Sequence, residues 1–80
     1  MSNMITLYTR TVCPKCMGVK SLLKDNKLEF KTINVDDPSN EKEAEKLREM
    51  GFMAAPIMEH DGKFYANLGE INQVINELAE

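Results

Sequence analysis

Two thiols stand three residues apart, Cys13 and Cys16, in the run Cys13-Pro14-Lys15-Cys16, and the sequence holds no other cysteine. A disulfide scaffold for a small domain needs more cysteines at longer separations. Structural zinc needs four ligands, and beyond the two thiols only His60 offers a ring nitrogen. Redox chemistry suits a close pair better. Thiols one helical turn apart can close into a disulfide without large backbone movement, and a thiolate on one can attack a foreign disulfide while the other waits to resolve it. That chemistry needs ionisation. A free thiol, with a pKa near about 8.5, is only ~3% thiolate at pH 7. Lowering the pKa to about 6 makes it ~90% thiolate and takes about 3.4 kcal/mol. A helix N-terminus contributes roughly 0.3–1 kcal/mol, up to ~2 when partly buried, so local N–H groups and nearby cations must supply the rest. Arg10 and Lys15 are the cations at hand.

The flanking pattern puts the pair where those N–H groups converge. Met4-Ile5-Thr6-Leu7-Tyr8 reads as a buried strand, and Thr9 to Val12 as a loop. Pro14 suits the first position of a helix, where a missing N–H costs nothing, and this sets Cys13 at the N-cap. Cys16, Val19, Leu22 and Leu23 share one face of that helix, which ends near Asp25-Asn26. Leu28 to Val35 reads as a second strand, broken by Asp36-Asp37-Pro38-Ser39. A helix follows from about Asn40 to Met50, with Asn40 and Glu43 as a capping-box variant, Ala44, Leu47 and Met50 as its apolar stripe and Gly51 as its C-terminal cap. Asp61-Gly62 joins Ile57–His60 to Lys63–Tyr65 as a hairpin. The last helix starts after Asn67, and Leu68, Ile71, Val74, Ile75 and Leu78 keep its spacing. The order β-α-β-α-β-β-α gives an α/β domain over residues 1–80: a four-stranded mixed sheet flanked by three helices, the smallest version of the thioredoxin fold.

With 80 residues and a net charge of −3, the chain has room for one domain and no basic surface that points to nucleic acid or anionic membrane. No run of about 18 apolar residues suggests a membrane span, and no export signal is visible at the N-terminus. The reducing cytoplasm is the expected location and a monomer the expected state. His60 reads as a half-exposed strand residue, and Glu41 to Glu49 as a solvated helix face. Met50 and Met58 read as core, whereas Met17 and Met53 could line a peptide groove.

The run Ile5-Thr6-Leu7-Tyr8-Thr9-Arg10-Thr11-Val12-Cys13-Pro14-Lys15-Cys16, then Ile33-Asn34-Val35-Asp36, then Gly51-Phe52 leading to Ala55-Pro56, resembles the glutaredoxins, including the NrdH-type proteins that reduce ribonucleotide reductase. The resemblance implies a dithiol–disulfide oxidoreductase of cell redox homeostasis, with no permanently bound cofactor and Cys13 and Cys16 as its catalytic pair. It implies that Pro56 is a cis-proline facing them, with Ala55 free to pair its backbone with an extended substrate. Arg10 falls where glutaredoxins usually carry a lysine that holds the glutathione glycine carboxylate. Asn67 and Leu68 fall where backbone N–H groups can hold the other end of glutathione.

Three departures leave the reductant open between glutathione and NADPH acting through thioredoxin reductase. Ala54-Ala55 stands where glutaredoxins usually have Thr-Val. Ala66-Asn67-Leu68-Gly69-Glu70 replaces a Gly-Gly pair and an acidic pair. The Trp-Ser-Gly-Phe-Arg-Pro run of the NrdH type is absent, for the chain has no tryptophan. The implied partners are disulfide-bearing proteins, ribonucleotide reductase among them. An alternative from another class is an iron–sulfur carrier that shares a cluster between two chains, which proline directly after the first cysteine disfavours in the family.

Overall fold

Strand β1 (Ile5–Thr9) is buried along its whole length, as the central strand of a sheet covered on both faces must be. The computed structural model describes residues 4–52 and 55–79. After β1 come α1 (Pro14–Asp25), β2 (Phe30–Asn34), a 3-10 turn (Pro38–Asn40), α2 (Glu41–Glu49), β3 (Ile57–His60), β4 (Lys63–Tyr65) and α3 (Leu68–Ala79). The sheet order is β2-β1-β3-β4, so β2 and β4 are its edges, and Lys31 and Thr32 on β2 are exposed. β1 runs parallel to β2 with Ile5 opposite Phe30, and antiparallel to β3 with Ile5 opposite His60. The element order and mixed sheet are those expected. β1 is shifted one residue towards the active site, and β2 is shorter than Leu28–Val35.

Alternation along the strands splits the core in two. On one face Ile5, Leu7 and Met58 pack with Val19 and Leu23 of α1 and with Ile71 and Ile75 of α3. On the other, Tyr8 and Ile57 pack with Leu47 of α2, joined by the half-buried Phe52 and Phe64. Phe64 lies between Tyr8 and Phe52, with ring centroids 6.3 and 5.9 Å away. Tyr8 carries a polar handle into this cluster: its hydroxyl donates to Glu59 Oε1 at 3.1 Å. Burial, then the Glu59 charge and this hydrogen bond, push the Tyr8 phenol up to about 12.

Chain reversals follow local chemistry. Asp61 and Gly62 both have positive φ, 56° and 81°, as a type I′ hairpin turn requires. Gly51, at φ 91°, ends α2 in a Schellman motif: Phe52 N–H donates to Leu47 O at 2.9 Å and Gly51 N–H to Arg48 O at 3.0 Å. This reversal corrects one expectation. Phe52 is turned back onto the core, and Met50 is left 44% exposed on the surface. The capping box at Asn40 and Glu43 is also corrected. Asn40 makes no side-chain cap; its amide donates to Asn34 O at 3.0 Å. Pro38 begins a 3-10 turn one step earlier, capped by Asp37, whose carboxylate accepts from Ser39 N–H at 3.0 Å and is held below its ordinary pKa by that bond. Met58 is core as expected, fully buried. Met53 lies outside the described residues.

Two outcomes follow. Ile75→Ala, at a fully buried site, should cost about 2–5 kcal/mol of the roughly 4–12 kcal/mol available to a domain this size, read as a lower urea midpoint at unchanged slope. Spectroscopic titration should find the Tyr8 phenol near pH 12 and earlier in Glu59→Gln, with Tyr8→Phe removing the signal. Because the folded value lies above the ordinary 10.0, the stability this phenol adds is intact below pH 10 and is lost as pH rises towards 12.

Candidate active site

Cys13 is the N-cap of α1, with Pro14 at the first helical position. The cap is made by sulfur: Cys16 N–H donates to Cys13 Sγ at 3.1 Å, and Met17 N–H donates to Cys13 O at 3.3 Å to start the helix. The two cysteines are joined as a disulfide across Cα atoms 5.2 Å apart. Their surroundings differ. Cys13 is half-buried at the surface, whereas Cys16 is only 2% exposed and points with Val19 and Leu23 into the core. Of the two residues, Cys13 is the one open to solvent and Cys16 the one enclosed. Negative charge on Cys13 sulfur would meet an N–H already aimed at it and the positive end of a twelve-residue helix.

The loop that presents Cys13 is held by the end of β2. Val35 N–H donates to Thr9 O at 2.8 Å, extending the parallel pairing beyond the strand. Asp36 then grips the loop twice: Oδ2 accepts from Thr11 N–H at 2.9 Å and Oδ1 from Arg10 Nε at 3.2 Å. Thr11 Oγ1 also accepts from Asn34 Nδ2 at 3.3 Å, and Asn34 Oδ1 accepts from Asp36 N–H at 2.9 Å. The Thr11 N–H holds the Asp36 carboxyl below its ordinary pKa, outweighing an opposing loss of solvation, with the Arg10 charge and hydrogen bond adding to the lowering. Asp36 read from the sequence only as a strand breaker. Its role was open to inference from register: strands paired in parallel from Ile5–Phe30 to Thr9–Asn34 bring residues 10–12 beside 35–37.

The other expected site residues gather unevenly. Arg10 lies on the loop, paired with Asp36. Lys15 is exposed in the first turn of α1, and Val12 and Met17, 85% and 68% exposed, flank the sulfur as an apolar rim. The Ala55–Pro56 bond is cis, and Pro56 is buried at the start of β3. Asn67 caps α3: its Oδ1 accepts from Gly69 N–H at 2.7 Å and Glu70 N–H at 3.4 Å, the two donors that follow the Asn67 and Leu68 N–H groups expected to meet a ligand carboxylate. Leu68 is half-buried behind it. Beside the loop, a cavity of about 250 Å³ has Arg10, Asp36, Arg48 and Ala55 at its rim. Among the described residues no three His, Cys, Asp or Glu side chains gather as a metal site.

Comparison with known proteins places this geometry. The glutaredoxin family model matches residues 5–65. The glutaredoxin-like protein NrdH of Lactococcus lactis subsp. cremoris is 38% identical over 58 residues, 72% of this chain and 78% of the relative. An uncharacterised glutaredoxin-like 8.6 kDa protein of Clostridium pasteurianum is 31% identical over 77 residues, 92% of this chain and 100% of its own. The solved structure of the Escherichia coli NrdH-redoxin, described as having a thioredoxin-like activity profile, superposes with a TM-score of 0.81 at 31% identity, covering 94% of this chain and 93% of that one. The fold is the thioredoxin fold in its smallest form. Domain match, relatives and the CxxC pair at the head of α1 agree: the chain belongs to the glutaredoxin family and is a thiol–disulfide oxidoreductase.

Proposed function

We propose that this protein is a dithiol reductant of protein disulfides, with Cys13 as nucleophile and Cys16 as resolving thiol. The observation that carries the reading is the contrast between the two sulfurs: Cys13 caps α1 at the surface and accepts the Cys16 N–H, whereas Cys16 is buried. The Cys13 thiolate attacks one sulfur of a substrate disulfide, breaks its S–S bond and releases the first substrate thiol. The Cys16 thiolate then attacks Cys13 Sγ, breaks the mixed disulfide and releases the second. Two electrons and two protons pass to the substrate, and the Cys13–Cys16 disulfide forms.

The likeness to NrdH proteins favours NADPH, acting through a thioredoxin reductase, as the source of electrons, and ribonucleotide reductase as a substrate. Asn67 supports this choice of reductant, since its side-chain oxygen takes the Gly69 and Glu70 N–H groups and so leaves fewer free donors at the start of α3 for a glutathione carboxylate. Glutathione is the second reading, and Arg10 favours it: a guanidinium beside an open cavity suits a small carboxylate ligand.

Cys16→Ser should trap a mixed disulfide on Cys13 that mass spectrometry of the non-reduced protein detects, whereas Cys13→Ser should trap none. Trapping on Cys16 instead would reverse the roles. Given oxidised protein, thioredoxin reductase with NADPH should regenerate free thiols at least about tenfold faster than glutathione with its own reductase. The opposite order would assign glutathione as the reductant.

A further inference from the structure

The cavity beside the nucleophile loop is apolar inside and cationic at its mouth. Its walls are Tyr8, Val35, Ala44, Leu47, Phe52 and Ile57. Its rim carries two arginines and one carboxylate, and that carboxylate is engaged, since Asp36 accepts from Arg10 and Thr11. The Arg48 guanidinium, exposed on the last turn of α2, makes no ion pair or hydrogen bond among the described residues. The mouth is therefore net positive on a chain whose overall charge is −3. Size narrows the occupant. At about 250 Å³ the space is below the roughly 300–1,000 Å³ of pockets that enclose whole small ligands, yet above the roughly 150 Å³ that holds a benzene ring. One large apolar side chain fits, followed by a carboxylate at the arginines.

Position supplies the rest. Arg10 stands three residues before Cys13 on the loop that presents it, and Ala55 precedes the cis-proline at the entrance to β3, so the cavity opens beside that loop. A polypeptide that brings a disulfide to Cys13 has residues a few positions from its own cysteine within reach of this opening, at about 3.3 Å per extended residue. We infer that the cavity is a specificity pocket for protein substrates: it takes an aromatic or large aliphatic side chain near the substrate cysteine, and Arg48 pairs with an acidic residue beside that side chain. Arg48 is thus a specificity-determining residue. The inference rests on the dithiol-reductant reading and names the class of segment that such a reductant selects.

Binding is measured first, without redox chemistry. Fluorescein-labelled peptides carry serine in place of the cysteine, with Phe-Asp, Ala-Asp or Phe-Lys within three residues on either side, and anisotropy reads their affinity for the reduced protein. The Phe-Asp peptide should bind at least about tenfold tighter than either of the others. In Arg48→Glu the preference for Phe-Asp over Phe-Lys should fall by about tenfold or reverse, while the preference of Phe-Asp over Ala-Asp persists. The same ratios should appear in kcat/KM when the cysteine forms of the peptides are supplied as mixed disulfides. Equal affinities across the three peptides, or an Arg48→Glu protein with the charge preference of the parent, would overturn the assignment. So would displacement of the labelled Phe-Asp peptide by an equal concentration of glutathione, which has carboxylates but no large apolar side chain. Turnover of 2-hydroxyethyl disulfide by the unmodified protein, a substrate too small to span both places, reads the reductant function separately. Its presence without peptide discrimination sinks the pocket alone, and its absence sinks the reductant reading.

Discussion

One N–H group organises the reactive end of this molecule. The amide of Cys16 points along the α1 axis at Cys13 Sγ, and it does so because Cys13 caps the helix. A side-chain oxygen at an N-cap ordinarily satisfies one of the four unpaired donors of a helix start. With sulfur in that role, the need to finish the helix and the need to stabilise a thiolate are met by the same contact. Proline at the next position adds to this, since it fixes φ where the helix begins and brings no competing donor. The second cysteine, one turn in, falls on the buried face with Val19 and Leu23. The division into an outer and an inner sulfur is thus a consequence of helical pitch.

A helix terminus can orient a thiolate only if its own placement is fixed. α1 is anchored below by Val19 and Leu23 against Ile5, Leu7 and α3. The loop above it carries few apolar residues to bury, and Asp36 and Asn34 hold it through polar contacts from β2. Parallel pairing makes this possible, because adjacent parallel strands end at the same edge of the sheet and their following loops lie side by side. The catalytic loop and the carboxylate that grips it are 25 residues apart in sequence and adjacent in space.

Much of this could be read from the residues. The apolar run at Ile5, the helical spacing from Cys16 to Leu23, the Asp61-Gly62 turn and the periodicity from Leu68 to Leu78 each signal one element with little competition, and their order permits few topologies. The Cys-Pro-Lys-Cys run declared its chemistry by type, spacing and place. What was not legible depended on contacts between distant segments. Asp36 as a clamp needed the parallel register. Met50 as a surface residue needed the reversal at Gly51, which hands its expected place to Phe52. Asn40 was read as a cap because caps are a local signal, but Pro38 begins a 3-10 turn first and frees its amide to reach Asn34. The cavity beneath Arg48 belongs to no motif at all, since its walls come from two strands, a helix and the loops beyond them.

The exposed lysine on β2 has an outcome for the molecule in a crowded solution. β2 is an edge strand, with one side of its backbone unpaired and available to extend the sheet. A second copy pairing there in a register that sets the two Lys31 residues opposite one another would hold like charges on backbones about 4.8 Å apart, which destabilises the pair. That repulsion disfavours edge-to-edge pairing of two copies through β2 in this register. It leaves a strand of opposite charge free to pair there without penalty.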